Sequence, residues 1–214
     1  MSTIVIFGGT GYAGGNIARE AVARGHQVIS YSRTAPTETA EGVEYRTGSL
    51  TDDAVLAQAA TEADDLVVAT HGADVGGSPL VDHVAQLTSA AIEHGARLSF
   101  VGGAGTLDVA KGGPRLVDTP EFNDEWKPEA LSHAKVLDAL RSGTQDLDWF
   151  YVSPAALFGA WAPGETTGAY RVSDDDLIVK EDGNSEISGT DFAKAYVDEI
   201  EQRKHPRQRF GVGH

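Results

Sequence analysis

The sequence predicts an α/β protein with a doubly wound parallel sheet and helices on both faces. Short β-branched runs alternate with helical runs along the 214 residues, and this order is typical of parallel strands joined by crossover helices. A glycine-rich turn also follows the first run, Thr3-Ile-Val-Ile-Phe7, directly. Ligands bind at the carboxyl ends of strands in open α/β sheets, so this turn predicts a binding site there.

The apolar runs predict strands near residues 3–7, 27–31, 43–46, 65–69, 97–101, 148–152 and 207–212. Helical patterns predict helices near residues 13–24, 52–62, 79–94, 128–142 and 190–203. Asp52 is a candidate N-cap, Pro128 opens a helix and Gly95 follows another. Two segments, 105–126 and 158–189, fit neither pattern. Because both follow strand ends, we expect small segments that cover a substrate site.

Composition limits the classes of function. No linker is visible, so we expect one domain over residues 1–214. Without a leader or an apolar stretch of membrane-spanning length, the protein is expected to be soluble and cytoplasmic, as a monomer or homodimer. The 32 acidic and 17 basic residues give a net charge of −15, which argues against nucleic acids and anionic membranes as partners. The chain has no cysteine and no H-E-x-x-H spacing, so no metal site is predicted.

The glycine turn has the spacing of a dinucleotide site. Gly8 can take the positive φ of a tight turn, Gly11 lets the backbone approach a pyrophosphate, and Gly14 lets the helix pack on the strand. The free N–H groups of the helix N-terminus favour a phosphate. A turn that only packs helix on strand is the alternative, but the second strand completes the βαβ unit that the motif requires. The predicted cofactor contacts here are Gly8, Thr10, Gly11, Tyr12, Ala13 and Gly14.

The end of the second strand favours NADP(H) over NAD(H). An acidic residue there usually binds the ribose 2′-hydroxyl of NAD and repels a 2′-phosphate. This chain instead has Ser32, Arg33 and Thr34, whose guanidinium and hydroxyl groups suit phosphate oxygens. The alternative is that Arg33 is an ordinary solvated arginine, in which case the cofactor could be NAD.

Further motifs carry a family resemblance. They are Phe100-Val-Gly-Gly-Ala-Gly-Thr-Leu107, Leu147-Asp-Trp-Phe-Tyr-Val-Ser-Pro-Ala-Ala156 and Gly183-Asn-Ser-Glu-Ile-Ser-Gly-Thr-Asp-Phe-Ala193. With the glycine turn, they make the chain resemble the atypical short-chain dehydrogenase/reductases, which have a Rossmann fold. It resembles more specifically the NADH-flavin reductases of the biliverdin-IXβ reductase-like, NmrA-like group. The resemblance covers nearly the whole chain, in order.

The resemblance also implies positions along the cofactor. It implies that Ser49 and Leu50 flank the adenine and that His71 and Gly72 lie along the cofactor. Residues on two further strand ends would surround the nicotinamide: Gly102, Gly103, Ser153, Pro154 and Ala155.

The chain departs from the superfamily at the proton donor, a tyrosine followed four residues later by a lysine. Lys135 keeps the place of the lysine, but Leu131 stands where the tyrosine would be. Without that donor, we expect hydride transfer to a flavin, quinone or similar conjugated acceptor that water can protonate afterwards. FMN or FAD would then be a substrate and not a prosthetic group. A non-catalytic NADP(H)-binding regulatory protein is the main alternative, and a degenerate sugar-nucleotide enzyme is a weaker one.

Several side chains are candidates for this chemistry. Lys135 is predicted to contact the ribose or nicotinamide, and His71 is a candidate proton donor, although a helix surface and a turn would also explain them. His133 lies two residues from Lys135 and is expected to be solvated. Phe158 and Trp161 are predicted to line the acceptor site and Trp126 to cover it, with packing as their alternative role.

Overall fold

The computed structural model describes residues 1–143 and 146–214. Within them, eight strands form one sheet. They are β1 (Thr3–Phe7), β2 (Gln27–Ser32), β3 (Val43–Thr47), β4 (Asp65–Val68), β5 (Arg97–Val101), β6 (Trp149–Ser153), β7 (Arg171–Ser173) and β8 (Gln208–Gly213). The order across the sheet is β3-β2-β1-β4-β5-β6-β8-β7, parallel except for the β7–β8 pair. The strand order reverses between β1 and β4, which is where ligands bind in such sheets.

The described helices cover both faces of the sheet. They are α1 (Tyr12–Ala23), α2 (Asp53–Glu62), α3 (Val84–His94), α4 (Lys127–Ser142) and α5 (Gly189–Gln202). Side chains of α1 and α5 pack in one apolar core, and those of α2, α3 and α4 pack in the other. The alternation of β1 sends Ile4 and Ile6 to the first core and Val5 and Phe7 to the second. The predicted fold class is therefore confirmed.

Helix boundaries follow local signals. The Asp52 carboxylate accepts hydrogen bonds from the N–H groups of Ala54 and Val55, which caps α2. Gly95 ends α3 with φ +73°. The helix predicted over residues 79–94 is divided, because a 3₁₀ turn at Leu80–His83 precedes α3. In the described part of the chain, no helix is long and apolar enough to cross a membrane.

One strand was not predicted. β7 lies within the segment that fits neither pattern, and its three residues are too short to show an alternation. Val172 of β7 is 47% exposed, so burial does not mark the strand either. Its position is fixed by antiparallel pairing with β8, in which Val172 faces Val212.

The amino ends of the central strands hold a partly buried cluster of ionisable side chains, which we call the amino-edge cluster: Asp65, Arg97, Asp148, Glu199 and His205. Arg97 donates to Glu199 Oε1 at 2.7 Å and to Asp148 Oδ1 at 3.2 Å. The Nδ1 atom of His205 lies 2.7 Å from Glu199 Oε2. Burial raises the pKa of Asp65 to about 6, and Asp65 Oδ1 has no hydrogen-bond partner within the described residues.

Candidate dinucleotide-binding cleft

A cleft of about 650 Å³ runs along the carboxyl ends of β1, β2, β4 and β5. Its middle is the glycine turn after β1. One end is lined by residues that follow β2 and β3, and the other by residues of α4 and of the segment after β6. The residues of the turn and the β2 and β3 ends that line it are Gly8, Thr10, Gly11, Tyr12, Ala13, Tyr31, Ser32, Arg33, Gly48, Ser49 and Leu50.

The glycine turn has the geometry of an anion site. Gly8 has φ +92°, and a Cβ atom there would overlap the carbonyl oxygen of Ala69. Gly14 lies below the cleft, where a Cβ atom would overlap the carbonyl oxygen of Gly8, so it allows α1 to pack against the turn. Gly11 is the N-cap of α1, and no side chain caps this helix. The first turn of α1 therefore presents backbone N–H groups and a partial positive charge to the cleft.

Arg33 lies exposed at the end of the cleft beside Ser49 and Leu50. Within the described residues it has no carboxylate partner at salt-bridge distance. The neighbouring Ser32 hydroxyl donates to the carbonyl oxygen of Thr34 at 2.7 Å, and Thr34 itself is exposed and does not line the cleft. Arg33 is thus the group at this end that is open to a bound anion.

Aromatic side chains form the opposite end of the cleft. The indole rings of Trp126 and Trp161 lie 5.5 Å apart at an angle of 33°, and they are 49% and 62% exposed. Phe158 lines the cleft and also packs on Phe192, with ring centroids 4.5 Å apart. Phe158 thus lines the cleft and also packs against the core, whereas Trp149 is buried in the core.

A carboxylate that sequence reasoning missed lies at this end. Glu129, in the first turn of α4, lies 3.2 Å from His133 Nε2 and 3.5 Å from His71 Nδ1. Its two oxygens also accept the N–H groups of Gly72 and Ala73 at 2.7 and 2.8 Å. Burial raises the pKa of Glu129, but the hydrogen bonds from His133 and the two amides outweigh it and lower the pKa to about 2. The i, i+4 spacing of Glu129 and His133 is the signal that identifies the pair.

The expected solvation of His133 is wrong. Its ring is buried, lines the cleft and packs edge-on against Tyr151, with ring centroids 6.5 Å apart. Lys135, two residues further, consequently points to the other side of α4, where it is exposed and outside the cleft. The structure therefore does not bring Lys135 to the predicted ribose or nicotinamide contact.

The residues predicted to lie around the nicotinamide, along the cofactor after β4 and at the acceptor site separate into two groups. Gly102 and His71 line the cleft, as do Phe158, Trp126 and Trp161. Ser153 is fully buried, with its hydroxyl 3.3 Å from that of Thr106, beside Arg209. This polar network holds Ser153 below the cleft. The other residues outside the lining are Gly72, Gly103, Pro154 and Ala155.

Comparisons with known proteins identify the family. The model of a family described as NAD(P)H-binding matches residues 8–203, from the first glycine of the turn to the end of α5. The chain belongs to this NAD(P)H-binding family. YwnB of Bacillus subtilis (strain 168), a protein whose name carries no function, is 36% identical over 98% of this chain and 97% of its own length.

Two solved structures extend the similarity. A Burkholderia pseudomallei protein, provisionally named an exported protein, is 40% identical with a TM-score of 0.82, and all of both chains is covered. SP1627 from Streptococcus pneumoniae TIGR4, provisionally named an NADH-flavin reductase, is 31% identical with a TM-score of 0.79 over all of both chains. The similarity to these three proteins thus extends over nearly the whole chain, including the glycine turn.

Proposed function

We propose that this member of the NAD(P)H-binding family is an NADPH-dependent oxidoreductase that transfers hydride to a flavin, a quinone or a similar conjugated acceptor. The observation that carries the proposal is the continuity of the cleft. It joins a glycine turn suited to a pyrophosphate to an end with aromatic walls, so a dinucleotide bound at the turn would direct its nicotinamide toward Gly102 and Phe158. The name of SP1627 agrees with this chemistry.

The choice of NADPH rests on Arg33. Its planar guanidinium is exposed at the cleft end where the adenine ribose would lie, and the neighbouring residues supply no carboxylate that would repel a 2′-phosphate. The cofactor contacts that we propose on the turn and the β2 and β3 ends are Gly8, Thr10, Gly11, Tyr12, Ala13, Ser32, Arg33, Ser49 and Leu50.

The aromatic side chains at one end of the cleft favour a planar acceptor. The exposed rings of Trp126 and Trp161 offer apolar faces for stacking at the mouth of the cleft. Reduced flavins and quinones delocalise the charge of the hydride, so the protein needs mainly to hold donor and acceptor in line. The wide exposure of both indoles favours a flavin that enters and leaves as a substrate.

Steady-state turnover tests the proposal. The protein is mixed with NADPH and, separately, FMN, riboflavin or menadione, and oxidation is followed by nicotinamide absorbance. We expect turnover with at least one acceptor, and a Trp161→Ala variant should raise KM for that acceptor while kcat changes little, as loss of uniform binding does. A protein that binds NADPH but reduces none of the three would instead fit a non-catalytic NADP(H)-binding regulator.

A further inference from the structure

The cleft contains an acid–base cluster that hydride transfer to a flavin does not require. We call Glu129, His71 and His133 the Glu129 cluster. The carboxylate of Glu129 lies between the two imidazoles and holds the turn that carries His71 through two backbone N–H groups. The cluster therefore joins the end of β4 to the inner face of α4 at the aromatic end of the cleft.

Two of the neighbouring groups are unsuitable as proton donors. Glu129 is ionised at neutral pH, because its hydrogen bonds lower its pKa to about 2. Tyr151 is fully buried beneath Gly102 and donates its hydroxyl proton to the carbonyl oxygen of His133 at 3.3 Å. Burial also raises the pKa of Tyr151 above its ordinary value.

The two histidines differ in access. The side chain of His133 is only 6% exposed, its Nε2 faces Glu129, and its Nδ1 is buried without a partner among the described residues. Neither nitrogen of His133 is open to a substrate. The side chain of His71 is 88% exposed and directs Nδ1 toward Glu129, which leaves its Nε2 open to the cleft and to solvent.

We infer that His71 is the proton donor of the cleft and that Glu129 is its positioning residue, for acceptors whose reduced form is a strongly basic oxyanion. The inference rests on the proposed function. Aromatic ketones and aldehydes are acceptors of this kind that fit the apolar walls. Hydride leaves C4 of the nicotinamide and bonds to the carbonyl carbon, and the π electron pair moves to the oxygen. The oxygen takes the proton of His71, the products are an alcohol and NADP⁺, and solvent reprotonates the exposed imidazole.

The pH dependence of this step depends on the groups that face the cluster. These are Glu129 and His133 on α4, Tyr151 on β6 and Asp74, which lines the same cleft after β4. Glu129 and Tyr151 keep one protonation state between pH 5 and 8, because their pKa values lie far below and far above that range. A kinetic inflection within that range therefore reports on a histidine.

The test compares two kinds of acceptor in one variant. Isatin and 4-nitrobenzaldehyde require a proton on oxygen, whereas FMN does not. We expect His71→Asn to lower the ratio of kcat for the carbonyl compounds to kcat for FMN by about 100-fold, because only the carbonyl compounds need the general acid. His94→Asn, which alters an exposed histidine at the end of α3, is the matched control and should change neither rate.

Glu129→Gln tests the positioning role. The amide keeps the shape of the side chain but removes the negative charge beside the imidazole. We expect kcat for the carbonyl compounds to fall while their KM changes little, because Nδ1 of His71 has lost its carboxylate neighbour and the ring is no longer held in place. Unchanged kcat for the carbonyl compounds, or a rise in KM alone, would contradict this role.

The outcomes separate the two proposals. FMN reduction without any reduction of the carbonyl compounds overturns the assignment of His71 and leaves the proposed function intact. An equal loss with both acceptors in His71→Asn, or carbonyl turnover close to that of the parent, also overturns it. If the parent reduces neither kind of acceptor, the proposed function fails, and the inference fails with it.

Discussion

Charged side chains have different surroundings at the two edges of the sheet. At the amino ends of β4, β5 and β6 lies the amino-edge cluster, in which Arg97 pairs with Asp148 and Glu199. At the carboxyl ends, glycines and exposed side chains leave backbone N–H groups, Arg33 and His71 open. The charged groups at the amino edge thus serve mainly the fold, whereas the groups at the carboxyl edge are available to a ligand.

This difference separates stability from binding. At the amino edge, the buried charges of Arg97 and Glu199 are fixed partners, and removal of one leaves the other poorly compensated. Charges at the cleft are partly solvated, so their removal changes affinity or rate more than folding. Variants at the amino edge should therefore change the free energy of unfolding, and variants at the cleft should change the affinity for NADPH or the rate of turnover.

The largest effect is expected at Arg97. Arg97→Met keeps much of the side-chain volume but leaves the Glu199 carboxylate, only 2% exposed, without its guanidinium. We expect the free energy of unfolding in urea to fall by about 3 to 5 kcal/mol, with unchanged affinity for NADPH. In the control, Arg97→Met combined with Glu199→Gln should lose less, because no unpaired charge remains. A double variant as unstable as the single one would contradict this explanation.

The largest effect at the cleft is expected at Gly11. Its φ of −79° is accessible to any residue, although a Cβ atom would make a tight contact of 3.3 Å with the Gly8 carbonyl oxygen. The methyl groups of Gly11→Val would project toward the phosphate site. We expect NADPH affinity to fall by about 100-fold or more, with little change in the urea midpoint. Gly15→Ala, one turn along α1, is the control, because its Cβ atom would make only ordinary contacts. Normal binding by the valine variant would place the cofactor elsewhere.

Asp65 is the exception in the amino-edge cluster, because its charge is poorly compensated. A pKa of about 6 in the folded state, against an ordinary 3.8, means that stability falls as pH rises from about 4 to 6. Asp65→Asn should therefore raise the free energy of unfolding at pH 7 by about 1 to 3 kcal/mol, with no gain below pH 4. The exposed neighbour variant Asp64→Asn should show no such gain at either pH.

A smaller effect is expected at the adenine end of the cleft. Arg33→Ala removes the proposed contact with the 2′-phosphate, so the preference for NADPH over NADH should fall by about tenfold. The affinity for NADH serves as the internal control and should not change. Equal binding of both nucleotides by the parent protein would exclude this role for Arg33.

The smallest effect is expected at Lys135. The family resemblance predicts that Lys135→Ala raises KM for NADPH, whereas its exposed position outside the cleft predicts kinetic parameters within about twofold of the parent, as for an ordinary surface substitution. The same kinetic assay distinguishes these expectations. A large rise in KM would mean that α4 turns toward the cofactor when NADPH binds.

Periodicity and glycine spacing predicted most of the fold and the centre of the cleft, because both depend on residues close in sequence. The rotation of α4 could not be predicted in this way. The tyrosine–lysine spacing predicts that the face of α4 with Leu131 and Lys135 is turned toward the cofactor. Leu131 is instead 46% exposed, and packing turns Glu129 and His133 toward the cleft. Long-range contacts also decide the role of Ser153, which depends on Arg209 from a strand more than 50 residues away.

The positions of the three tryptophans also allow intrinsic fluorescence to report on the bound cofactor. Indole emission overlaps the absorption of dihydronicotinamide but not that of the oxidised ring. The exposed pair, Trp126 and Trp161, lies at the cleft end where the nicotinamide is proposed to bind, while Trp149 is buried in the core at 3% exposure. Energy transfer from these indoles would therefore distinguish reduced from oxidised cofactor within the protein, without a label and during a single turnover.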